Sequence, residues 1–357
     1  MKDFIYTGQP SRVVFGRGAS ARLEHEIDLL QATRVLVLST PGQKEHAQAI
    51  ADRLGDRAAG VFARAVMHVP IETAREARDE ARRLNADCAI AVGGGSTIGL
   101  GKAIALESGL PILAIPTTYS GSEMTSIYGI TEAGLKKTGK DPRVLPRTVV
   151  YDPDLTLGLP QGISVTSGMN AIAHAAEGLY ARDGNPIMDL MAEEGIRALA
   201  KAIPALRRQA RDVEARGDAL YGAWLCGTVL GSVGMALHHK LCHTLGGTFN
   251  LPHAEVHTVV LPHAIAFNSQ AAPQAMKRIE RALDTQASAA AALFDLARDN
   301  GAPVALKDIG KITEADMAVA ADLVVRAPYW NPRPIGAEQR EDIHRLLLDA
   351  FHGNRPD

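Results

Sequence analysis

Residues 88–106 read CAIAVGGGSTIGLGKAIAL, and the order of residue types in this stretch decides the fold. Cys88–Val92 is an unbroken apolar run of strand length, as expected of a strand buried on both faces. Gly93, Gly94, Gly95 and Ser96 follow at once, and Thr97–Leu106 reads as a helix. Strand, glycine turn and helix in succession form the repeating unit of a parallel α/β sheet. Glycines in such a turn let backbone approach a phosphate closely, and the helix end offers free N–H donors to an anion. A tight turn with no ligand accounts for the same glycines. The spacing also differs from the usual G-x-G-x-x-G dinucleotide fingerprint.

The alternation continues on both sides. Phe4–Tyr6 and Arg12–Phe15 read as strands joined by a turn at Gly8–Pro10, and residues 19–30 as a helix. Arg34–Leu38 is a buried strand ending at a Ser39-Thr40-Pro41-Gly42 turn, and no acidic residue follows it. His46–Leu54 and Ile71–Leu84 suit helices, and Val61–Val66 and Ile112–Ile115 suit strands. The loop Pro116–Glu123, PTTYSGSE, leaves the last of these. Ligands bind at the carboxyl ends of such strands, so this loop and the glycine turn are expected to face one crevice.

From Tyr151 the composition changes. Asp152-Pro153 and Leu159-Pro160 punctuate a boundary, and long Ala/Leu/Met-rich segments follow. Helices are expected over Ser167–Tyr180, Pro186–Arg208, Val213–Met235, Met276–Asp284, Ala287–Asn300 and Ala337–Phe351. The chain thus reads as an α/β domain over 1–160 and an all-α domain over 161–357.

The helical half holds an unusual concentration of imidazole. Residues 237–263, LHHKLCHTLGGTFNLPHAEVHTVVLPH, carry six of the chain's 12 histidines. A helical start places His239 and His243 four apart on one face, with Gly246 and Gly247 breaking the helix. Pro252 and Pro262 punctuate the apolar stretch after it, bringing His253 back toward His239. Asn170 and His174 share a helix face upstream. Asn170, His174, His239 and His253 therefore make a constellation drawn from three segments. Histidines grouped this way ligate a metal or move protons near neutral pH. An amide at 170 is a weaker metal ligand than a carboxylate.

Bulk properties narrow the function. The 357 residues are 46% apolar and 22% charged with a net charge of −2, which argues against a general nucleic-acid or membrane-surface role. Cys88, Cys226 and Cys242 are scattered with no CxxC pair, pointing to a reducing interior. No apolar run reaches spanning length, and the N-terminus has no signal core, so a cytoplasmic location is expected.

Four motifs carry a family resemblance: GGGSTIGLGKA at 93–103, PTTYSGSEMTSIYGIT at 116–131, LKKTGKDPRVLPRTVVYDP at 135–153 and SGMNAIAHAAEGLYA at 167–181. With the spaced histidines, the chain resembles the iron-containing alcohol dehydrogenase superfamily over its whole length, and within it the maleylacetate reductase branch. The resemblance implies a dehydroquinate synthase-like fold, with an N-terminal dinucleotide-binding α/β domain and a C-terminal helical domain. It places the cofactor pyrophosphate on Gly94, Gly95 and Ser96, and the nicotinamide side against Thr117 and Thr118. Lys136 falls near the nicotinamide ribose. Metal-dependent members have Asp where this chain has Gly99 and Asn170.

The expected reaction is NAD(P)H-dependent reduction of the carbon–carbon double bond of maleylacetate to 3-oxoadipate, in aromatic-ring catabolism. The alternative is an Fe- or Zn-dependent alcohol dehydrogenase of the same fold. His243 is the first choice as proton donor, with His239 and His253 holding the developing charge and His174 and Asn170 beside them. Tyr119, Lys136 and Asn170 are candidates for the substrate carboxylates. Ser39, Thr40 and Gln43 lie where an adenine-ribose carboxylate would repel a 2′-phosphate, so both NADH and NADPH are expected. With Asn at 170, no essential metal is expected. A homodimer acting on a small dicarboxylate is the expected assembly.

Overall fold

The computed structural model describes residues 4, 6–8, 11–133, 135–326 and 329–357, without the side chains of 135 and 136. The chain separates into two compact units, Gly8–Leu159 and one containing Pro160–Asp357. The strand expected over Phe4–Tyr6 and its Gly8–Pro10 turn fall partly outside the described residues.

The first unit is built on six parallel strands: β1 (Arg12–Phe15), β2 (Val35–Leu38), β3 (Ala58–Phe62), β4 (Cys88–Gly93), β5 (Ile112–Pro116) and β8 (Thr148–Tyr151). Their order is β1-β8-β5-β4-β2-β3. Alternate residues of β2 serve opposite faces. Val35 and Val37 join one core with Ile90, Val92 and Leu113, against α1 (Leu23–Leu29) and α2 (Lys44–Leu54). Leu36 and Leu38 join another with Ala77 and Ile104, from α3 (Ile71–Arg83) and α4 (Gly95–Ser108). Both faces are covered, which is why the strands read as apolar runs without alternation. A separate antiparallel hairpin, β6 (Ile127–Glu132) and β7 (Leu135–Lys140), comes from a segment in which no strand was expected.

The strand order creates a switch point. The chain leaves β2 toward β3 on one side, and leaves β4 toward β5 on the other. Between the carboxyl ends of β2 and β4 the two connections diverge, the place where ligands bind in open α/β sheets, and Ser39 and the Gly93–Gly95 turn follow those two strand ends.

The second unit is helical: α5 (Gln161–Gly178), α6 (Pro186–Arg208), α7 (Val213–Ser232), α8 (Leu237–Phe249), α9 (His253–Asn268), α10 (Pro273–Ala282), α11 (Ala289–Asp299), α12 (Glu314–Arg326) and α13 (Arg340–His352). Helix α6 starts where Pro186 follows Asn185, whose side chain accepts from the N–H groups of Ile187 and Met188. Two expected breaks do not occur. Helix α8 continues through Gly246 and Gly247 to Asn250, which takes the left-handed conformation (φ 53°) and ends it. Helix α9 runs past Pro262, giving up one backbone hydrogen bond. Val256, Val259, Val260 and Ala264 of α9 are buried in a core shared with α8, α12 and α13, and that packing overrides the local breakers. No single helix among the described residues is long and apolar enough to cross a membrane. Helices α7 and α8 pass that test only as a pair bent by 95°.

Candidate active site

In the first unit the turn after β4 is tightly furnished. Gly93 has φ +152°, and a Cβ there would lie 2.5 Å from Thr97 Oγ1 and 2.8 Å from Gln43 Oε1. Gln43 Nε2 donates to Thr117 Oγ1 at 2.7 Å, tying the segment after β2 to the loop after β5. Thr117 N in turn donates to Gly93 O at 3.1 Å. Thr118 lies against Gly94, with its side-chain tip 2.9 Å from where a Cβ would stand. Ser39, Gly93, Gly94, Thr117 and Thr118 are thus brought together at the carboxyl ends of neighbouring strands. Gly95 and Ser96 open α4. The Oγ atoms of Ser39, Thr97 and Ser120 are buried without a hydrogen-bond partner among the described residues. Tyr119 is fully buried. The side chain of Lys136 lies outside the described residues.

Beneath this loop sits a residue that sequence reasoning did not single out. Lys102, on α4, is buried and its Nζ donates to Ser122 O (2.7 Å), Thr125 O (2.8 Å), Thr125 Oγ1 (2.9 Å) and Ile127 O (2.7 Å). Burial lowers its pKa to about 7, partly offset by Glu123. Glu123, also buried, accepts from Tyr151 Oη at 2.8 Å. An ammonium thereby pins the far half of the PTTYSGSEMTSI loop.

In the second unit, α5, α8 and α9 bring imidazoles together. Ring centroids are 5.1 Å apart for His174 and His239, 5.0 Å for His239 and His257, and 6.2 Å for His174 and His257. A nitrogen from each of these three lies within 4.8 Å of the others. His253 sits at the edge of this group, part-buried, its ring 4.1 Å from that of His257. His243 is exposed, one turn along α8 from His239, with centroids 6.2 Å apart.

The protonation pattern follows from the partners. His239 Nδ1 lies 2.7 Å from Glu177 Oε2. That oxygen also takes N–H donors from Ala236 (2.9 Å) and His239 (3.4 Å), while Oε1 takes that of His238 (2.7 Å). Burial raises the Glu177 pKa, opposed by His238 and these N–H groups. Every partner of this carboxylate is a donor, so His239 carries its proton on Nδ1 and turns a bare Nε2 inward. That Nε2, His174 Nδ1, both His257 nitrogens and Asn170 Oδ1 are buried without a partner among the described residues. Burial holds His239 neutral, its pKa down to about 3, and drives His174 and His257 well below the ordinary histidine range; neighbouring imidazoles add to each shift.

Two other groupings of ligand-type atoms overlap this one, His238–Cys242–His257 and Glu177–His238–His239. In both, atoms are already engaged. His238 Nε2 donates to His257 O at 2.9 Å, and the Glu177 oxygens are filled by N–H groups. Among the described residues, only His174, His239 and His257 combine convergence with free lone pairs.

This geometry corrects the expectation that no essential metal is needed. That expectation rested on the missing charge at Asn170. Three neutral imidazoles aimed at one another, in a buried space with no donor to satisfy them, form a three-histidine site of the kind that holds a divalent ion. The residue overlooked was His257, four after His253 on the same helix. Glu177, three after His174, was overlooked too. Both spacings were visible in the sequence, but which ring turns inward is set by how the helices cross.

Comparison with known proteins gives a consistent family. A model described as iron-containing alcohol dehydrogenase matches residues 10–153, and one for the C-terminal part of the Fe-containing alcohol dehydrogenase family matches 164–351. The chain is 63% identical over 356 residues to the maleylacetate reductase of Burkholderia cepacia, covering 100% of each. The crystal structure of maleylacetate reductase from Agrobacterium tumefaciens superposes with a TM-score of 0.95 at 52% identity, and that of a putative alcohol dehydrogenase from Ralstonia eutropha with 0.98 at 65%. Both cover 100% of each chain.

Proposed function

The chain belongs to the iron-containing alcohol dehydrogenase family, and on that premise we propose that it uses NAD(P)H to reduce the carbon–carbon double bond of maleylacetate to 3-oxoadipate. The observation that carries this reading is end-to-end similarity to maleylacetate reductases across both units.

A bound reduced nicotinamide would supply a hydride for the alkene carbon β to the ketone, which would leave electron density on the ketone oxygen as an enolate. The protein then has to stabilise that oxygen and protonate the adjoining carbon. His243 suits the proton transfer, because it is exposed next to the buried group and can exchange with solvent. His253, whose ring lies against that of His257, is proposed to steady the enolate oxygen. His174, His239 and His257 would hold a divalent cation; Asn170, one turn before His174 on α5, also has a buried Oδ1 without a partner among the described residues. Such an ion would supply Lewis acidity toward a carbonyl oxygen.

On the cofactor side, the proposed pyrophosphate contacts are Gly94, Gly95 and Ser96, with Thr117 and Thr118 toward the nicotinamide. Ser39 and Gln43 place no carboxylate after β2, which supports use of both NADH and NADPH. Lys136 and Asn170 are proposed for the substrate carboxylates. The proposed boundary between the cofactor and catalytic halves is at 160/161. The exposed aromatic Phe15 on the edge strand β1 supports a homodimer joined along that edge. Three buried free thiols suit a reducing cytoplasm.

Loss of NAD(P)H absorbance on adding maleylacetate tests the activity. Oxidation of simple alcohols with no turnover of maleylacetate would instead assign the chain to the alcohol dehydrogenase reaction of its family.

A further inference from the structure

The N-terminus of α8 has an odd construction. Its N-cap residue, Ala236, has no side chain with which to cap, and no local Ser, Thr or Asp does the work. The first N–H groups are instead satisfied from elsewhere in the helical unit. Glu177 on α5 accepts from Ala236, His238 and His239, and Asn331 Oδ1 accepts from Leu237 at 3.3 Å. Asn331 is held in turn by a reciprocal amide pair with Asn268, at 3.1 and 2.7 Å.

The two capping side chains differ in one respect. Asn331 touches only backbone on α8. Glu177 also takes the side-chain proton of His239, at 2.7 Å and fully buried. One carboxylate therefore fixes both where the helix begins and which nitrogen of its inward-facing histidine is bare. His174 lies one turn before Glu177 on α5, so the same helix carries a second member of the group and the device that orients the first.

We infer that Glu177 is the positioning residue of the histidine site, holding His239 in the tautomer that presents Nε2 to a bound divalent cation. This rests on the reading of His174, His239 and His257 as the cation-holding set. A buried carboxylate behind a ligating imidazole fixes the ring and raises its basicity, and losing such a partner typically weakens metal binding by about 10–100-fold. The other acceptor near His239 Nδ1 is His238 Nδ1, which is farther at 3.4 Å against 2.7 Å for Glu177 and carries no charge. Without Glu177 the ring keeps only that longer, neutral contact, and its proton can move to Nε2, where it blocks a cation.

The test is a Zn²⁺ titration of the full-length, metal-stripped protein against a competing chelator, with ¹⁵N shifts of the His239 ring recorded alongside. Glu177→Gln keeps the shape but removes the charge and one acceptor. Its Zn²⁺ affinity is expected to fall about 10–100-fold, with the His239 signals shifting toward a mixture of tautomers. Asn331→Ala removes a cap from the same helix without touching the ring. It is expected to lower the unfolding temperature while leaving Zn²⁺ affinity within about threefold and the wild-type tautomer in place. Equal affinity in Glu177→Gln and wild type overturns the inference, as does an equal loss in Asn331→Ala, which would reduce Glu177 to a helix cap. If Glu177→Gln does not fold, Glu177→Asp takes its place: a shortened carboxylate that leaves Zn²⁺ binding and the tautomer untouched is equally fatal. Failure of the underlying reading looks different, because wild-type protein itself would then bind no Zn²⁺ and His257→Ala would change nothing.

Discussion

Two adjacent glycines in the turn after β4 should respond to substitution in opposite ways. Gly93 has φ +152°, a region that L-residues rarely adopt, and its Cβ would stand 2.5 Å from Thr97 Oγ1 and 2.8 Å from Gln43 Oε1. Alanine there carries about 1–3 kcal/mol of backbone strain. Displacing Gln43 also costs its hydrogen bond to Thr117, a further 0.5–1.5 kcal/mol or so. Gly93→Ala is therefore expected to lower unfolding stability by roughly 2–4 kcal/mol. Gly94 has φ −88° and ψ −163°, extended backbone open to any residue, and its Cβ would meet one side chain, that of Thr118, with Cγ2 and Oγ1 at 2.9 Å and Cβ at 3.5 Å. Thr118 is part-buried and can rotate. Gly94→Val should thus change stability by less than about 1 kcal/mol. It nevertheless fills the face on which the pyrophosphate is proposed to rest. The cofactor KM is expected to rise at least about tenfold, equivalent to about 1.4 kcal/mol. Urea unfolding and NAD(P)H saturation curves on both variants separate the effects. Unchanged cofactor affinity in a folded Gly94→Val protein would refute the phosphate assignment. A stability loss matching that of Gly93→Ala would refute the backbone argument.

Other outcomes follow from the same geometry. His243→Ala should lower kcat by about 10²–10⁴-fold with little change in cofactor KM; a rise in substrate KM alone would make His243 a binding residue. The purified enzyme should retain a divalent ion, lose activity on chelation and recover it with Fe²⁺ or Zn²⁺, and His257→Ala should abolish retention in metal analysis. Lys102→Met leaves the carbonyls of Thr125 and Ile127 without their Nζ donor, while Ser122 O and Thr125 Oγ1 keep each other, so a stability loss of about 2 kcal/mol or more is expected in urea, with cofactor KM rising as the loop loosens. His263, on α9 apart from the cluster, is buried with its pKa lowered to about 4, burial being the main cause. The unfolded chain then binds the extra proton between about pH 6.5 and 4, so this histidine costs stability as pH falls through that window and nothing above it. At pH 5 the cost is about 2 kcal/mol relative to pH 8, and His263→Phe should remove that part of the acid dependence in urea titrations at the two pH values.

What the sequence shows of this molecule divides along the reach of each interaction. Cys88–Gly95 was legible because everything that decides it is local: an apolar run, then glycines, then a helix start. Arg12–Phe15 was also legible as a strand, but not its partner. β8 pairs with it in parallel from more than 130 residues away, within a stretch noted for its motif alone. In the helical half, Gly246 and Pro262 were read by their local meaning, as breaks. They are overruled because α9 is buried over most of its length and α8 sets Leu237, Leu241, Cys242 and Leu245 into the same core, and the packing outweighs a glycine or one missing N–H. The histidines divide in the same way. Four-residue spacings placed His239 and His243 on one face, and His253 and His257 share one too, but a face is wide. Whether His253 or His257 completes a group with His174 depends on the crossing of α5, α8 and α9, and the structure turns His257 inward. The metal expectation failed for a related reason. Counting charge at Asn170 is a one-residue argument, whereas affinity for a cation depends on how many bare lone pairs converge and how few donors can reach them. Glu177 determines that from α5, some sixty residues before the histidine whose proton it holds.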